Sequence, residues 1–424
     1  MSHSRREFIS NGLGFVALGF TVPTMLMQAS KAVAAEQTVG ARAGKSGKIL
    51  VVIEMAGGND GLNTVAPLAD PLYAKLRPNI GVKSDDSVKI DKGLALHPRL
   101  SALGKLYEKG QLAVVTGVGY PNPNRSHFQS MDIWQSGDPT LDARERSGWL
   151  ARYFDEDGHF QGDPLAGIAL SGNLPLALWS QNSAASVVGR DAKDFGFSAR
   201  GNAKSEQLKT LEMLYKQDGM DGGTVAAGAS DFIRNVGDGI YGSSDAIKTA
   251  LKSYDAKAGK GANYPRNNGL ADGLQTVAKL ITGDLGTKVY YLSMGGFDTH
   301  ANQPGSHAYL LGQLADAVAA FNADLELQGR GNDVIVMTFS EFGRRAAENG
   351  SAGTDHGAAS VMFATGASVK GGVYGDYPKL DDLDNGDLKY HTDFRSVYAT
   401  VLGKWLNVSA PKVLGGEFPS LKFV

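Results

Sequence analysis

The sequence predicts an α/β protein in which helices cover both faces of a mostly parallel sheet, and two observations carry that expectation. Apolar runs of strand length recur along the chain, the first of them unbroken as expected for a strand buried on both sides. Between them lie stretches whose apolar residues fall at helical spacing, and a strand, helix, strand alternation implies crossover connections and parallel pairing.

The elements follow in order. Lys48-Ile49-Leu50-Val51-Val52-Ile53-Glu54-Met55 reads as the buried first strand, and residues 56–61, Ala-Gly-Gly-Asn-Asp-Gly, as a tight turn at its carboxyl end. From His97 to Lys109, Leu100, Leu103 and Leu106 take helical spacing, and residues 111–118 form a second strand. Leu270, Leu274, Val277, Ala278 and Ile281 make one helical face, residues 289–294 a strand, and Leu310, Leu311, Leu314, Val318, Phe321 and Leu325 a longer helical face. Residues 333–339 close another strand, helix, strand unit, Val361-Met362-Phe363-Ala364 adds a further strand, and Thr392 or Asp393 caps a helix running to Trp405. Between about 181 and 268 the texture turns to Gly, Ser, Asn, Lys and Asp with weaker periodicity. That stretch is expected as an inserted cap or set of surface loops near the crevice, or equally as an excursion without function.

The N-terminus is set aside as an address. Ser4-Arg5-Arg6-Glu7-Phe8-Ile9 is a twin-arginine export pattern, followed by an apolar stretch from Gly12 to Met27 and a small-residue Ala32-Val33-Ala34 site. Cleavage after Ala34 is expected, leaving one α/β domain over residues 45–424. A retained anchor is disfavoured because Pro23 interrupts a short stretch where a spanning helix needs about 20 apolar residues. The expected location is periplasmic or secreted, with the twin-arginine translocase as a partner and no stable membrane span after cleavage. That route carries folded proteins, which suits a chain that acquires a metal before export.

Composition narrows the function classes. Without the first 34 residues the chain carries 39 Lys and Arg against 43 Asp and Glu, a formal net charge of −4, so no nucleic-acid partner is implied. The absence of cysteine excludes disulfides, thiolate metal sites and cysteine nucleophiles.

Four short segments carry the chemistry: Gly57-Gly58-Asn59-Asp60, Gly296-Phe297-Asp298-Thr299-His300, Ser340-Glu341-Phe342-Gly343 and Thr354-Asp355-His356-Gly357. Carboxylates and imidazoles at strand ends converge on one crevice of a parallel sheet, where they can hold a metal against a substrate. Each also has a bland reading. Asn59-Asp60 is ordinary turn chemistry, and in Asp355-His356 the carboxylate can simply orient the imidazole. Ser126 is the candidate nucleophile, although Ser126 and Gln129 also fit a capping box. A hydroxyl at a helix N-terminus stands where backbone N–H groups favour phosphate or sulfate. Arg125, His127, Arg344 and Arg345 are candidates for binding substrate oxygens, with Arg344 preferred among them. His97, His159, His307 and His391 are read as terminus or packing residues.

Taken together, Glu54 to Asn63, Gly295 to His300, Ser340 to Arg344 and Gly353 to Gly357 resemble the bacterial domain-of-unknown-function family 1501, which is similar in fold to the alkaline phosphatase and sulfatase superfamily. The resemblance implies an alkaline-phosphatase-like fold from about Ile49 onward. It implies Asp60, Asp298, His300, Glu341 and His356 as metal ligands, Ser126 as the nucleophile, and one or two divalent ions, zinc first and then calcium or manganese. The chain departs from the superfamily scheme in the close spacing of Asp298 and His300, in Glu341 for an Asp, and in Phe342 where a His is expected. A formylglycine sulfatase is not implied, because no cysteine is present. The resulting expectation is an exported metal-dependent hydrolase acting on a small-molecule or polymer ester of phosphate or sulfate, with Arg344 steadying the anion. The alternative is an exported binding or assembly protein that keeps the fold without turnover.

Overall fold

Seven residues, Ile49–Met55, form the central strand β1, and all seven are buried. Ile49, Val51, Ile53 and Met55 enter one apolar cluster, while Leu50 and Val52 enter another on the opposite face. A strand with two buried faces calls for apolar residues on both sides, which accounts for the run Ile49 to Ile53, and the buried exception, Glu54, accepts from Tyr291, Ser293 and Gln135. The computed structural model describes residues 47–83, 87–140, 147–158, 163–180, 185–189, 246–254 and 262–424. The expected leader over residues 1–34 and most of the expected insertion over 181–268 lie outside them. Among the described residues no helix is long and apolar enough to cross a membrane.

The sheet adds β2 (Leu112–Gly119), β3 (Gly167–Leu170), β4 (Ser186–Val187), β5 (Val289–Met294), β6 (Val334–Phe339), β7 (Ser360–Thr365), β8 (Gly372–Tyr374) and β9 (Thr392–Asp393). Their spatial order is β8-β2-β7-β6-β1-β5-β3-β4, with β9 also on β2. β1 pairs in parallel with β5 and β6, and only β7 runs antiparallel, against β2 and β6. The further strand expected near 361–364 is therefore present but reversed. Residues 340–359 return as a loop without a crossover helix, and a return of that kind gives antiparallel pairing. The reversal brings the start of β7 to the same edge as the carboxyl ends of β1, β5 and β6, so Asp355-His356 reaches the crevice from before a strand rather than after one.

Helices α1 (Gly61–Thr64), α2 (Pro71–Leu76), α3 (Ser101–Glu108), α4 (His127–Ser136), α5 (Trp149–Asp157), α6 (Gly269–Thr282), α7 (Gln303–Leu327) and α8 (Phe394–Thr400) complete the layers used below. α3, α6 and α7 contribute Leu103, Leu274, Leu314 and Phe321 to the first cluster, and α4, α5 and α8 contribute Trp134, Phe154 and Tyr398 to the second. α6 starts where Asn268 accepts from the backbone N–H groups of Leu270 and Ala271, both at 3.1 Å. The expected helix from 97 onward opens with a short 3-10 turn, Pro98–Leu100, capped by His97, whose Nδ1 accepts from Arg99 N.

His307, on α7, is buried and places Nε2 3.0 Å from Asn59 Oδ1. Burial pushes its pKa from 6.5 down to about 4, and burial does the same to the neighbouring His97. The unfolded chain therefore binds more protons than the folded one below about pH 6.5, so stability is full above that value and falls as pH drops toward 4. His307 alone accounts for about 3 kcal/mol of that loss. Urea unfolding of His307→Gln at pH 7.5 and pH 5 is expected to show a smaller difference than wild type; equal differences would contradict the assignment.

Candidate metal centre

Two glycines begin the site. After β1 the chain turns through Gly57 and Gly58 at φ of 121° and 77°, a region that penalises side chains. A Cβ on Gly57 would lie 2.4 Å from Asp298 N, and one on Gly58 2.2 Å from the Phe342 ring. The turn thus lies directly against the loops that follow β5 and β6. Two buried arginines lock it there. Arg344 donates Nε to Gly58 O (2.7 Å), Nη1 to Thr354 O (2.9 Å) and Nη2 to Gly57 O, to Phe297 O (3.1 Å) and to Asp298 Oδ1 (2.8 Å). Arg77 donates Nε to Ala346 O (2.6 Å), Nη2 to Arg345 O (2.8 Å) and Nη1 to Asp60 Oδ2 (2.6 Å).

These contacts correct two expectations. Arg344 does not steady a substrate anion, because its guanidinium is buried and spent on backbone carbonyls and Asp298. Asp60 does not face the other candidate ligands. It caps α1 through Asn63 N (3.3 Å), pairs with Arg77 and accepts from Gln303 Nε2. Burial opposes its ionisation, but the Arg77 guanidinium holds its carboxyl below the usual range. An aspartate answered on both oxygens by cationic and amide donors has no lone pair directed at the crevice.

Three imidazoles and one carboxylate do meet. His127, the first residue of α4, joins Asp298 and His356, and one ligating atom from each lies within 4.8 Å of the others. His300 extends the group, with Nε2 3.1 Å from Asp298 Oδ1 and 2.9 Å from His356 Nε2. His356 Nε2 lies 3.2 Å from Asp298 Oδ1, and His127 Nε2 lies 3.5 Å from Oδ2.

Each Nδ1 is meanwhile engaged from behind. That of His127 lies 2.9 Å from Glu341 Oε1, that of His356 2.9 Å from Arg125 O, and that of His300 3.3 Å from Asp355 Oδ1. Carboxylates and carbonyls only accept, so these nitrogens carry the protons and the Nε2 lone pairs point at one another and at Asp298. Acceptor against acceptor is repulsive unless a cation lies among them, and a histidine braced at Nδ1 by an oxygen is the usual metal-ligand arrangement. Partial burial raises the Asp298 pKa, yet donation from the Arg344 guanidinium leaves it below the usual carboxylate range.

The other expected ligand, Glu341, stands one step behind. It is buried, receives Gly57 N at 2.8 Å on Oε1, and reaches the cluster through His127. Phe342 is buried against the rings of His127 and His356, with centroids 4.9 and 4.6 Å away, so an apolar wall stands where a further ligand was absent from the sequence. Asp355 braces His300 rather than its own neighbour His356. Ser126 caps α4 with its backbone and lies exposed between Arg125 and His127. The expected capping box does not form: the Ser126 side chain makes no capping hydrogen bond, and Gln129 Oε1 accepts from Asn124 Nδ2 instead.

The sequence marks His127 only as a candidate for binding substrate oxygens. It follows the second strand by one loop, the same strand-end placement that marked the other ligands, but it lacks the Gly and Asp signature that made them visible.

No curated protein matches the chain in sequence. Among solved structures it is similar to the lipoteichoic acid synthase LtaP from Listeria monocytogenes, at 9% identity and a TM-score of 0.37 over 88% of this chain and 76% of that one. It is similar also to a sulfatase from a Pseudoalteromonas species, at 11% identity and 0.35 over 93% and 74%, and to the alkaline phosphatase of the Antarctic bacterium TAB5, at 10% identity and 0.30 over 77% and 95%. Likenesses of this size carry no argument about the chemistry, which rests on the side chains above. Residues 47–409 match the family described as "Protein of unknown function (DUF1501)", and the chain belongs to that family.

Proposed function

We propose that the chain is an exported, metal-dependent hydrolase of phosphate or sulfate esters with Ser126 as its nucleophile. The observation that supports this best is the convergence of three Nε2 atoms on the Asp298 carboxylate while every Nδ1 is braced from outside. His127, Asp298, His300 and His356 would hold the ion, and three nitrogens with one oxygen suit zinc better than calcium, which prefers oxygen alone. A divalent ion bound there would polarise an ester oxygen and lower the pKa of a nearby hydroxyl. Ser126 offers an exposed hydroxyl, uncommitted to capping, in the tripeptide whose carbonyl and imidazole already belong to the cluster. Glu341 and Asp355 keep two of the imidazoles in the ligating tautomer, and Arg344 keeps Asp298 in place. Attack of the hydroxyl oxygen on phosphorus or sulfur would release the alcohol and leave a seryl ester for water to cleave.

The twin-arginine pattern at Arg5-Arg6 supports delivery to the periplasm or beyond. Retention of an Arg5→Lys, Arg6→Lys double variant in the cytoplasm is the expected result.

A second reading, a metal-holding binding or assembly protein without turnover, draws on the loss of Asp60 and Arg344 from the reacting groups and on the Phe342 wall. Protein purified without chelator, assayed for metal and for hydrolysis of aryl phosphate and aryl sulfate, separates the two. Bound metal with hydrolysis that drops about a thousandfold or more in Ser126→Ala selects the hydrolase. Bound metal with no Ser126-dependent hydrolysis selects the binding protein.

A further inference from the structure

We propose that Arg125 and Arg345 form a clamp at the rim of the cluster that selects phosphate monoesters; this rests on the hydrolase reading above. Both side chains are two-fifths exposed, at 42% and 41%, and both lean on one carboxylate, that of Asp387, which is 3% exposed. Arg125 Nη2 donates to Asp387 Oδ2, and Arg345 Nε lies 3.7 Å from Oδ1, an oxygen that no hydrogen-bond donor reaches among the described residues. One buried negative charge thus holds two guanidiniums near each other, with the carboxylates of Asp355 and Asp384 also close enough to act on this group. The exposed N–H edges remain for a solute.

Their backbones fix where that solute would lie. Arg125 O accepts from His356 Nδ1, and Arg345 N donates to Asp355 O at 3.0 Å, so each arginine branches from a segment that carries one of the cluster's imidazoles, Arg125 beside His127 and Arg345 in the loop of His356. Arg125 also immediately precedes Ser126. A phosphoryl group beside that hydroxyl presents three non-bridging oxygens, and a monoester carries two negative charges over them. A sulfate ester has the same shape with one charge, and a phosphate diester has fewer free oxygens and one charge. Two guanidinium forks with exposed N–H edges match the monoester's three oxygens and two charges best.

Inorganic phosphate titrated calorimetrically into the purified full-length protein with its metal tests the clamp without relying on turnover. Arg345→Ala, which leaves the Arg125–Asp387 pair in place, and Arg125→Lys, which keeps the charge but not the fork, are each expected to weaken phosphate binding about tenfold or more. The kcat/KM for phenyl phosphate should fall by a similar factor, and that for phenyl sulfate by less than about threefold. Absence of phosphate binding in wild type, undiminished binding in both variants, or equal losses on the two esters overturns the clamp. Arginine-dependent phosphate binding in a protein without Ser126-dependent turnover upholds the clamp and sinks the hydrolase reading alone.

Discussion

Asp60→Asn is expected to lower the stability of the fold by about 3–5 kcal/mol, because it leaves the buried Arg77 guanidinium without its anion. The cost extends beyond one pair. Arg77 gathers the carbonyls of Arg345 and Ala346 as well, so the loop after β6 loses its hold on the turn after β1. Metal bound per folded molecule should remain at the wild-type value, since Asp60 contributes no atom to the cluster. Urea unfolding together with metal analysis of the folded fraction checks both parts. A variant of normal stability that has lost its metal would return Asp60 to the ligands and refute the structural role assigned to it.

His127→Ala is expected to weaken metal binding by about a hundredfold or more, because the binding free energy of a zinc site, about 10–16 kcal/mol, is shared among few ligands. Glu341→Gln should act through the same imidazole and weaken binding about 10–100-fold. The readout need not involve catalysis. An ion that binds only the folded state stabilises it by about 4 kcal/mol at a thousandfold excess over Kd and by about 1.4 kcal/mol at tenfold, so chelation should lower the Tm of wild type about three times as much as that of His127→Ala. Equal chelator sensitivity in the two proteins would remove His127 from the site. The comparison also bears on sequence reading, since His127 stood outside the expected ligand set and Glu341 inside it, and the geometry exchanges their places.

The pattern of error among the expected residues has one cause. Asp298, His300 and His356 could be read as a converging set because each sits at a strand boundary, and strand boundaries are visible as changes of periodicity. Asp60 sits at such a boundary too, but its partner Arg77 lies 17 residues on, at the end of a different helix. Arg344 looked free because the four carbonyls it collects belong to Gly57, Gly58, Phe297 and Thr354, three segments far apart in the chain. A guanidinium turned inward to backbone and one turned outward to substrate have the same sequence. The same holds for the Ser126 hydroxyl, for which Gln129 supplied a local partner that the folded chain assigns to Asn124.

By itself the sequence determined the alternation of strands and helices, the two-sided burial of the central strand and the places where polar residues interrupt that order, because periodicity is a local property of neighbouring side chains. The tertiary structure alone decided the direction of β7, the enlistment of His127, the retirement of Asp60 and Arg344 into buried ion pairs and carbonyl contacts, and the pairing of Arg125 with Arg345 over Asp387. Those outcomes depend on which distant donor reaches a buried acceptor first, and a buried charge takes the partner that the packed chain brings to it, wherever in the sequence that partner lies.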